Sequence, residues 1–303
     1  MAGSPTTGPP VAGSLAATQI ATYRDEGYLF PVPVFDADEA AELRAAFEAF
    51  EARWSDDTHL PRPFAQYLRD GMQVISPVAD RIARHPAVLD VIESILGPDL
   101  MVWTCELLAK EPHSSKMLTM HQDLHYWGFD AIGQHVTAWI ALSEVTDENG
   151  AMHFVRGSHR WGNVDHYDTF GADNILSRGQ QVTVTHDPAD EVVVALSPGE
   201  MSLHDGLMVH GSGPNVSDVR RVGVAIRYLT PSVRMQAGRD DYATPVRGDC
   251  SGAELLMLPV PAVDFDPETV PFHERMLVAH DETLGAGATQ PMVYDGIRTV
   301  ESA

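Results

Sequence analysis

The chain has 303 residues, a formal net charge of −23 and a pI of about 4.8, and 44% of its residues are hydrophobic. The hydrophobic fraction is typical of a globular protein, whereas the acidic charge argues against nucleic acid and anionic membranes as partners, because both bind through clustered Lys and Arg. The two cysteines, Cys105 and Cys250, lie far apart in the sequence, so the composition indicates no disulfide framework and favours a reducing cytoplasm.

The first elements are an expected disordered lead-in over residues 1–15, rich in Gly, Ser, Pro and Thr, and a helix over 37–53. Asp36 or Asp38 is the candidate N-cap of that helix. A second helix is predicted in "HPAVLDVIESILG", which has a proline near its first turn and a glycine just past its end. Because the sequence contains no repeat and no linker-like boundary, residues 16–303 are predicted to form a single domain.

From about residue 101 the sequence consists of short segments rich in β-branched and aromatic residues, separated by turn signals. These segments are "LMVWTCELLAK", "HVTAWIALSEV", "AMHFV", "EVVVALSPGEMSLH" and "RRVGVAIRYLT". Many short strands without intervening helices predict a mainly β fold, an antiparallel sandwich or barrel flanked by helices. The polar stretch 163–190 and the Pro-rich, irregular chain after residue 230 are predicted to cover the mouth of the barrel.

The segment "TMHQDLHYW" at 119–127 carries three side chains able to bind a metal. In an extended segment His121 and Asp123 project to the same side, about 6.6 Å apart, and can share one ion. His125 would lie about 13 Å from His121, so it is better interpreted as a pocket wall or a satisfied polar residue. His210, in "LHDGLMVHGSGPN", is the candidate third ligand, and two imidazoles with one carboxylate are typical of non-haem Fe(II) sites.

A second His-x-Asp pair weakens any argument from that motif alone. His166 and Asp168 lie in the polar stretch 163–190, without a strand-like pattern around them, and remain the alternative metal pair. His204 and Asp205 precede a glycine and are interpreted as the tip of a hairpin.

The strand that follows His210 supports a dicarboxylate site. On "RRVGVAIRYLT", alternation places Arg221, Gly223, Ala225 and Arg227 on one face, and Val222, Val224, Ile226 and Tyr228 on the other. An arginine beside two very small residues leaves room for a ligand, and a guanidinium binds a carboxylate through two parallel hydrogen bonds. The first face is therefore predicted to bind 2-oxoglutarate, and Ser212 can add a hydroxyl to the same carboxylate.

Taken together, "HQD" at 121–123, "NGAMHFVRGSH" at 149–159, "HGSGPN" at 210–215 and Arg221 resemble the phytanoyl-CoA dioxygenase family, to which bacterial ectoine hydroxylases are similar. The resemblance covers roughly residues 15–235. It implies a double-stranded β-helix, or jelly roll, in which His121, Asp123 and His210 hold Fe(II). It also implies that Arg221, assisted by Ser212, anchors 2-oxoglutarate.

The activity implied by the resemblance is an Fe(II)- and 2-oxoglutarate-dependent dioxygenase that uses O₂ to hydroxylate an unactivated C–H bond, giving succinate and CO₂. The expected partner is a small-molecule substrate, either amino-acid-like or a natural product. Lys110 is a further candidate for binding cosubstrate or substrate. The residues predicted to line the substrate pocket are Leu124, His125, Tyr126, Trp127 and Phe129. Two alternatives remain: desaturation, epoxidation or cyclisation with the same cofactors, and a non-catalytic metal-binding jelly-roll protein.

Overall fold

The computed structural model describes residues 13–130, 132–235, 240–294 and 297–298. Most of the expected lead-in over 1–15 lies outside these ranges. Its last residue, Leu15, packs into the main core, and its backbone N–H donates to Ser94 Oγ at 3.0 Å. No helix in these ranges combines the length and the apolar character that a bilayer span requires.

The helices follow from local sequence signals where these are strong. Both predicted helices are confirmed: Asp36 caps the first by accepting the N–H of Glu39 at 2.8 Å, and Pro86 opens the other. The α-helices of the described residues are α1 (Ala17–Glu26), α2 (Ala37–Trp54), α3 (Phe64–Arg69), α4 (Met72–Ile75), α5 (Pro77–Ala83), α6 (Pro86–Leu96) and α7 (Val270–Leu284).

All five segments with strand-like composition form strands. The strands of the described residues are β1 (Tyr28–Pro33), β2 (Leu100–Lys110), β3 (Leu118–His121), β4 (Phe129–Asp130), β5 (His135–Ala141), β6 (Met152–Val155), β7 (His166–Asp168), β8 (Gln180–Val182), β9 (Glu191–Val194), β10 (Glu200–His204), β11 (His210–Ser212), β12 (Arg221–Leu229), β13 (Arg234–Met235), β14 (Tyr242–Arg247), β15 (Leu256–Met257), β16 (Val293–Tyr294) and β17 (Ile297–Arg298).

Two sheets enclose the functional region. The larger sheet has the order β1–β10–β5–β12–β2–β14–β15, and the smaller one the order β3–β11–β6–β9. Neighbouring strands in both are antiparallel except β14 and β15. The predicted mainly β jelly roll with flanking helices is confirmed.

The two faces of β12 are those predicted by alternation. Val222, Val224, Ile226 and Tyr228 are fully buried in the main hydrophobic core, which also contains apolar side chains of α2, α5 and α6. The opposite face points between the two sheets, where Arg221, Ala225 and Arg227 line a cavity. The helices therefore cover one side of the large sheet and leave the other for the functional site.

The prediction of an irregular chain after residue 230 is only partly right. Strand β14 extends the large sheet beside β2, and α7 is a helix of 15 residues whose Met276 and Leu277 enter the main core. Most prolines of this region fall between these elements or at the start of α7, and Pro245 lies within β14 where its register against β2 shifts. That residues 16–303 form one domain stays a prediction, supported by this packing.

Candidate active site

Three buried side chains converge between the sheets, two from the neighbouring strands β3 and β11 and one from the turn after β3. Strand β3 ends at His121, which lies opposite His210 at the start of β11. The ligand atoms of His121, Asp123 and His210 all lie within 4.8 Å of one another. Nε2 of His121 is 3.3 Å and Nε2 of His210 is 3.9 Å from Asp123 Oδ1. A single ion could contact all three.

The sequence suggested an extended segment through this motif, but the structure has a turn there. A 3₁₀ turn begins at Asp123 and ends at His125, so it is the turn that directs the carboxylate back towards His121. Gln122 holds the segment in place, because its backbone N–H donates to His166 Nε2 and its side chain bonds three backbone groups. His125 turns away and bonds Asn163. It is a satisfied polar residue.

Both histidines present the correct nitrogen to a metal. Nδ1 of His121 donates to the carbonyl of Thr119 at 2.8 Å, and Nδ1 of His210 donates to that of Met208 at 2.9 Å. A carbonyl only accepts, so each proton sits on Nδ1 and each Nε2 keeps its lone pair. Burial, with His121 nearby, holds the pKa of His210 well below its usual range, which keeps this imidazole neutral.

The second oxygen of Asp123 is surrounded by donors. Thr137 Oγ1, His204 Nε2 and an Arg227 nitrogen lie 3.5, 3.7 and 3.8 Å from Oδ2. Burial alone would raise the pKa of Asp123, but Arg227 and the neighbouring histidines outweigh it and hold the pKa well below the usual range. The carboxylate is thus ionised, with Oδ1 directed at the histidines and Oδ2 at the protein.

His204 was not recognised from the sequence. It is not the tip of a hairpin but the last residue of β10, 1% exposed, with its ring 4.6 Å from that of His210. The usable signal was alternation in "EMSLH", where Met201 and Leu203 enter the main core and His204 must therefore face the cavity.

The alternative metal pair is engaged elsewhere. His166 Nε2 accepts the N–H of Gln122, and its Nδ1 donates to the carbonyl of Val164. Burial and the neighbouring His125 lower its pKa to about 4. Asp168 lies on the short strand β7, which the sequence did not suggest, and pairs with Arg178 at 2.5 Å. Both side chains hold the 163–190 stretch together instead of facing an ion.

Arg221 is a buried cation for which the described residues provide no ion pair. It is 2% exposed, one terminal nitrogen donates to the carbonyl of Gly150 at 2.6 Å, and its guanidinium lies 5.2 Å from the ring centroid of Trp139. Among the described residues Nε has no hydrogen-bond partner. Burial lowers the pKa of Arg221 to about 10. Such a group is costly unless an anionic ligand binds it.

Lys110 and Ser212 lie beside this arginine. In the antiparallel pair of β2 and β12, Lys110 stands opposite Arg221. Its Nζ donates to Ser212 Oγ at 2.7 Å and to the carbonyl of Gly213. Burial and the charge of Arg221 lower the pKa of Lys110 to about 6. A guanidinium, an amine of lowered pKa and a hydroxyl therefore meet, with no carboxylate between them in the described part of the chain.

The space at Gly223 is filled, contrary to the sequence-based interpretation. The indole of Trp139 occupies it, and a Cβ at residue 223 would lie 2.1 Å from Trp139 Cζ2. The small residue makes room for the tryptophan that lies beneath Arg221, not directly for a ligand. Trp139 is nearly fully buried and also lines the cavity.

A cavity of about 120 Å³ joins these groups. Its wall includes the three candidate ligands, Ser212 and Arg221. Of the predicted pocket residues, Tyr126 and Trp127 line it, whereas Leu124 and Phe129 pack into a separate apolar cluster and His125 faces outward. That prediction rested only on the position of these residues directly after the ligands, and the turn at 123–125 directs part of them elsewhere. Four residues of the polar stretch also line the wall: Ile175, Leu176, Ser177 and Gln180.

The sequence profile described as phytanoyl-CoA dioxygenase (PhyH) matches residues 23–223, which include the candidate ligands and Arg221. The chain belongs to the phytanoyl-CoA dioxygenase family. A probable phytanoyl-CoA dioxygenase of Caenorhabditis elegans is 29% identical in an alignment 177 residues long, which covers 53% of this chain and 56% of that protein. The chain spans only about half the length of the first curated relatives that it matches.

Solved structures of similar proteins cover more of the chain. A non-heme monooxygenase, ThoJ, is 32% identical, with a TM-score of 0.79 over 88% of this chain and 98% of ThoJ. The alpha-ketoglutarate-dependent epimerase SnoN from nogalamycin biosynthesis is 28% identical, with a TM-score of 0.56 over 72% of this chain and 82% of SnoN. The match to ThoJ extends well beyond the 23–223 region of this PhyH-family chain.

Proposed function

We propose that this PhyH-family protein is an Fe(II)- and 2-oxoglutarate-dependent oxygenase that hydroxylates an unactivated C–H bond of a small molecule. The observation that carries the proposal is the meeting, in one cavity, of two imidazoles and a carboxylate with the buried guanidinium of Arg221, whose Nε has no hydrogen-bond partner among the described residues. When bound, iron and 2-oxoglutarate would supply the oxidation, consuming O₂ and giving succinate, CO₂ and hydroxylated product.

The metal would be held by His121 Nε2, Asp123 Oδ1 and His210 Nε2. Their donor set, two imidazoles and one carboxylate, suits Fe(II) and leaves other coordination positions free. The carbonyls of Thr119 and Met208 fix the imidazole rings. Thr137, His204 and Arg227 would keep Asp123 Oδ2 off the metal, so that the carboxylate contributes one oxygen.

The far carboxylate of 2-oxoglutarate would bind Arg221, with Ser212 and Lys110 adding donors. Nε of Arg221 is unused, and Lys110 is near enough to share the charge. Trp139 would hold the guanidinium in position by stacking beneath it. A bound anion would offset the burial of the Arg221 charge and favour the protonated form of Lys110.

The substrate would occupy the part of the cavity lined by Tyr126 and Trp127. An amino-acid-like compound or a natural product with an apolar part would suit these walls. The second candidate outcome is desaturation, epoxidation or cyclisation with the same cofactors. Epimerisation is added because SnoN is described as an epimerase. A cytoplasmic location fits the two cysteines, both buried and unpaired.

Succinate formation tests the proposal without a known substrate. Purified protein supplied with Fe(II), ascorbate, O₂ and 2-oxoglutarate should release succinate slowly, because such enzymes turn over cosubstrate at a low uncoupled rate. His210→Ala, which removes a metal ligand, should release none. The matched control is His113→Ala, at an exposed histidine, and it should behave as the wild type. Equal rates for wild type and His210→Ala would contradict the proposal.

A further inference from the structure

The part of the cavity away from Arg221 contains a row of charged side chains that metal and cosubstrate do not use. Arg69 Nε lies 3.9 Å from Glu106 Oε2, Glu106 Oε1 lies 3.0 Å from an Arg227 nitrogen, and Arg227 lies 3.8 Å from Asp123. All of these residues line the cavity. The row therefore runs from the metal-binding carboxylate to Arg69, on the helix α3.

Within this row Arg69 lies farther from its carboxylate than Arg227 does, at 3.9 Å from Glu106 against 3.0 Å. Its side chain is 15% exposed, and the hydrogen bond that it donates among the described residues, to the carbonyl of Ile175, is long at 3.4 Å. Its Nε has no hydrogen-bond partner in the part of the chain that the structure describes. A guanidinium with unused donors facing a cavity is arranged to bind an acceptor from outside.

The nearby carboxylates are already engaged and do not satisfy Arg69. Glu106 is drawn to Arg227, whose side chain is 11% exposed. Both oxygens of Asp70 bond His280 Nδ1, at 2.9 and 2.8 Å, and one of them also accepts the hydroxyl of Thr104. His280 is in turn fixed by Asp241 at 2.9 Å. None of these acids can move to Arg69 without leaving another buried charge unpaired.

Apolar and aromatic side chains line the same cavity as Arg69. They are Trp103, Tyr126, Trp127, Ile175, Leu176 and Leu284. Trp127 also lies beneath Arg227, whose guanidinium carbon is 5.8 Å from the ring centroid. A ligand here would place one charged group at Arg69 and an apolar body against the rings, between Arg69 and the metal ligands.

We propose that the primary substrate carries a carboxylate next to an apolar body, and that Arg69 binds this carboxylate and so determines specificity. The inference rests on the proposed function, of which it names the substrate class. Bidentate pairing with the planar guanidinium would satisfy Nε and one terminal nitrogen together. It would also fix the apolar body, and hence the reacting C–H bond, relative to Asp123 and the two histidines.

The test compares matched acids and amides. Calorimetry would measure the binding of 3-phenylpropionate and indole-3-acetate, and of their primary amides, to protein loaded anaerobically with Fe(II) and excess 2-oxoglutarate, which occupies Arg221. Each acid should bind more tightly than its amide. Arg69→Gln should weaken the acids roughly tenfold or more and leave the amides within about twofold. Arg69→Lys should give an intermediate loss, because it keeps the charge and loses the fork.

The control variant is Arg234→Gln, at an exposed arginine that pairs with Glu254. It should bind all four probes as the wild type does. Acids that bind no better than their amides, or Arg69→Gln binding acids like the wild type, would overturn the inference.

The same samples separate this inference from the proposed function through the visible absorption of the Fe(II)–2-oxoglutarate chelate. Chelate absorption without a preference for acids would overturn the substrate class alone. A preference for acids that depends on Arg69, without chelate absorption, would support the carboxylate site and count against the oxygenase.

Discussion

At the scale of single residues, Arg221 is a buried guanidinium that no carboxylate of the described residues contacts. It donates to one carbonyl and stacks on Trp139. Replacing it should therefore cost ligand affinity and not folding stability. Arg221→Gln should weaken 2-oxoglutarate binding by about 100-fold, since it removes a pair of charge-assisted hydrogen bonds, while thermal unfolding of the ligand-free protein stays unchanged or rises.

The adjacent Arg220 provides the matched control, because it pairs with Glu51 and Glu111 on the opposite side of the sheet. Arg220→Gln should leave 2-oxoglutarate affinity unchanged. If both variants bound the cosubstrate like the wild type, Arg221 would have no role in anchoring it.

Lys110 predicts a pH dependence of cosubstrate binding. Because its pKa in the ligand-free protein is lowered to about 6, Lys110 is mostly neutral at pH 7.5. A bound dianion stabilises the protonated form, so binding at this pH should take up about one proton. Affinity should then fall as pH rises above 6, and below 6 Lys110 should contribute no dependence because it is already charged.

Calorimetry in buffers of different ionisation enthalpy measures this proton uptake directly. Lys110→Met should abolish this proton uptake, because residue 110 can no longer be protonated. The hydrogen bonds from the other residues to the cosubstrate should remain. Zero uptake in the wild type at pH 7.5 would show that Lys110 does not respond to the ligand.

At the scale of elements, the contact between β12 and β5 is set by a glycine. Gly223→Ala would place a Cβ 2.1 Å from Trp139 Cζ2, so the indole must move away from Arg221. We expect a loss of about 1–3 kcal/mol in unfolding free energy, as for other overpacked cores, together with weaker 2-oxoglutarate binding. Gly252→Ala, where a Cβ would meet no atom within 4 Å, should change neither quantity. Normal cosubstrate affinity in Gly223→Ala would separate Trp139 from the anion site.

The helix α7 is joined to the rest of the molecule by a buried charged bridge. His280, 1% exposed, donates one ring nitrogen to Asp70 and the other to Asp241. Burial alone would lower the pKa of His280, but the two carboxylates outweigh it and hold the pKa well above the usual range. The bridge therefore stabilises the fold fully below the unfolded pKa of about 6.5. Its contribution is lost as pH rises through the folded pKa.

Replacing the bridge should destabilise the protein in a pH-dependent way. His280→Phe keeps the ring against Trp103 but leaves two carboxylates unpaired, which should cost about 3–5 kcal/mol in urea unfolding at pH 6. The deficit should shrink at high pH, where the wild type also loses its imidazolium. His113→Phe, at an exposed pair with Asp218, should cost less than about 1 kcal/mol. A deficit that did not change with pH would contradict the assigned charge.

Local patterns predicted the helices α2 and α6 and the strands β2, β5, β6, β9, β10 and β12, and they failed where distant segments meet. Alternation gave both faces of β12, and capping gave α2 and α6. The 3₁₀ turn at Asp123 was missed because neither spacing nor propensity distinguishes a metal-binding turn from the end of a strand. Arg69 and His280 reach the cavity only through the packing of α3 and α7, which no short window of sequence encodes, whereas alternation in β10 does indicate the inward direction of His204.

At the scale of the whole molecule, the jelly roll separates two tasks between the two sides of its large sheet. The outer side is covered by helices and forms the main core, and the inner side faces the small sheet across the cavity. Strand β12 serves both tasks, because its odd-numbered side chains contribute charge to the cavity and its even-numbered ones pack beneath the helices. The chain as a whole is strongly acidic, whereas three arginines, Arg69, Arg221 and Arg227, line the cavity and concentrate positive charge there.

The central claim is that His121, Asp123 and His210 bind a metal which 2-oxoglutarate then chelates. It is tested most directly by anaerobic titration of Fe(II) and 2-oxoglutarate into wild type and Asp123→Ala, following the weak visible charge-transfer band of the chelate. Asp218→Asn, at a fully exposed carboxylate, is the control. We predict a band in wild type and Asp218→Asn that is abolished or greatly weakened in Asp123→Ala. Bound iron without a band in the wild type would contradict the oxygenase and leave a metal site of another kind.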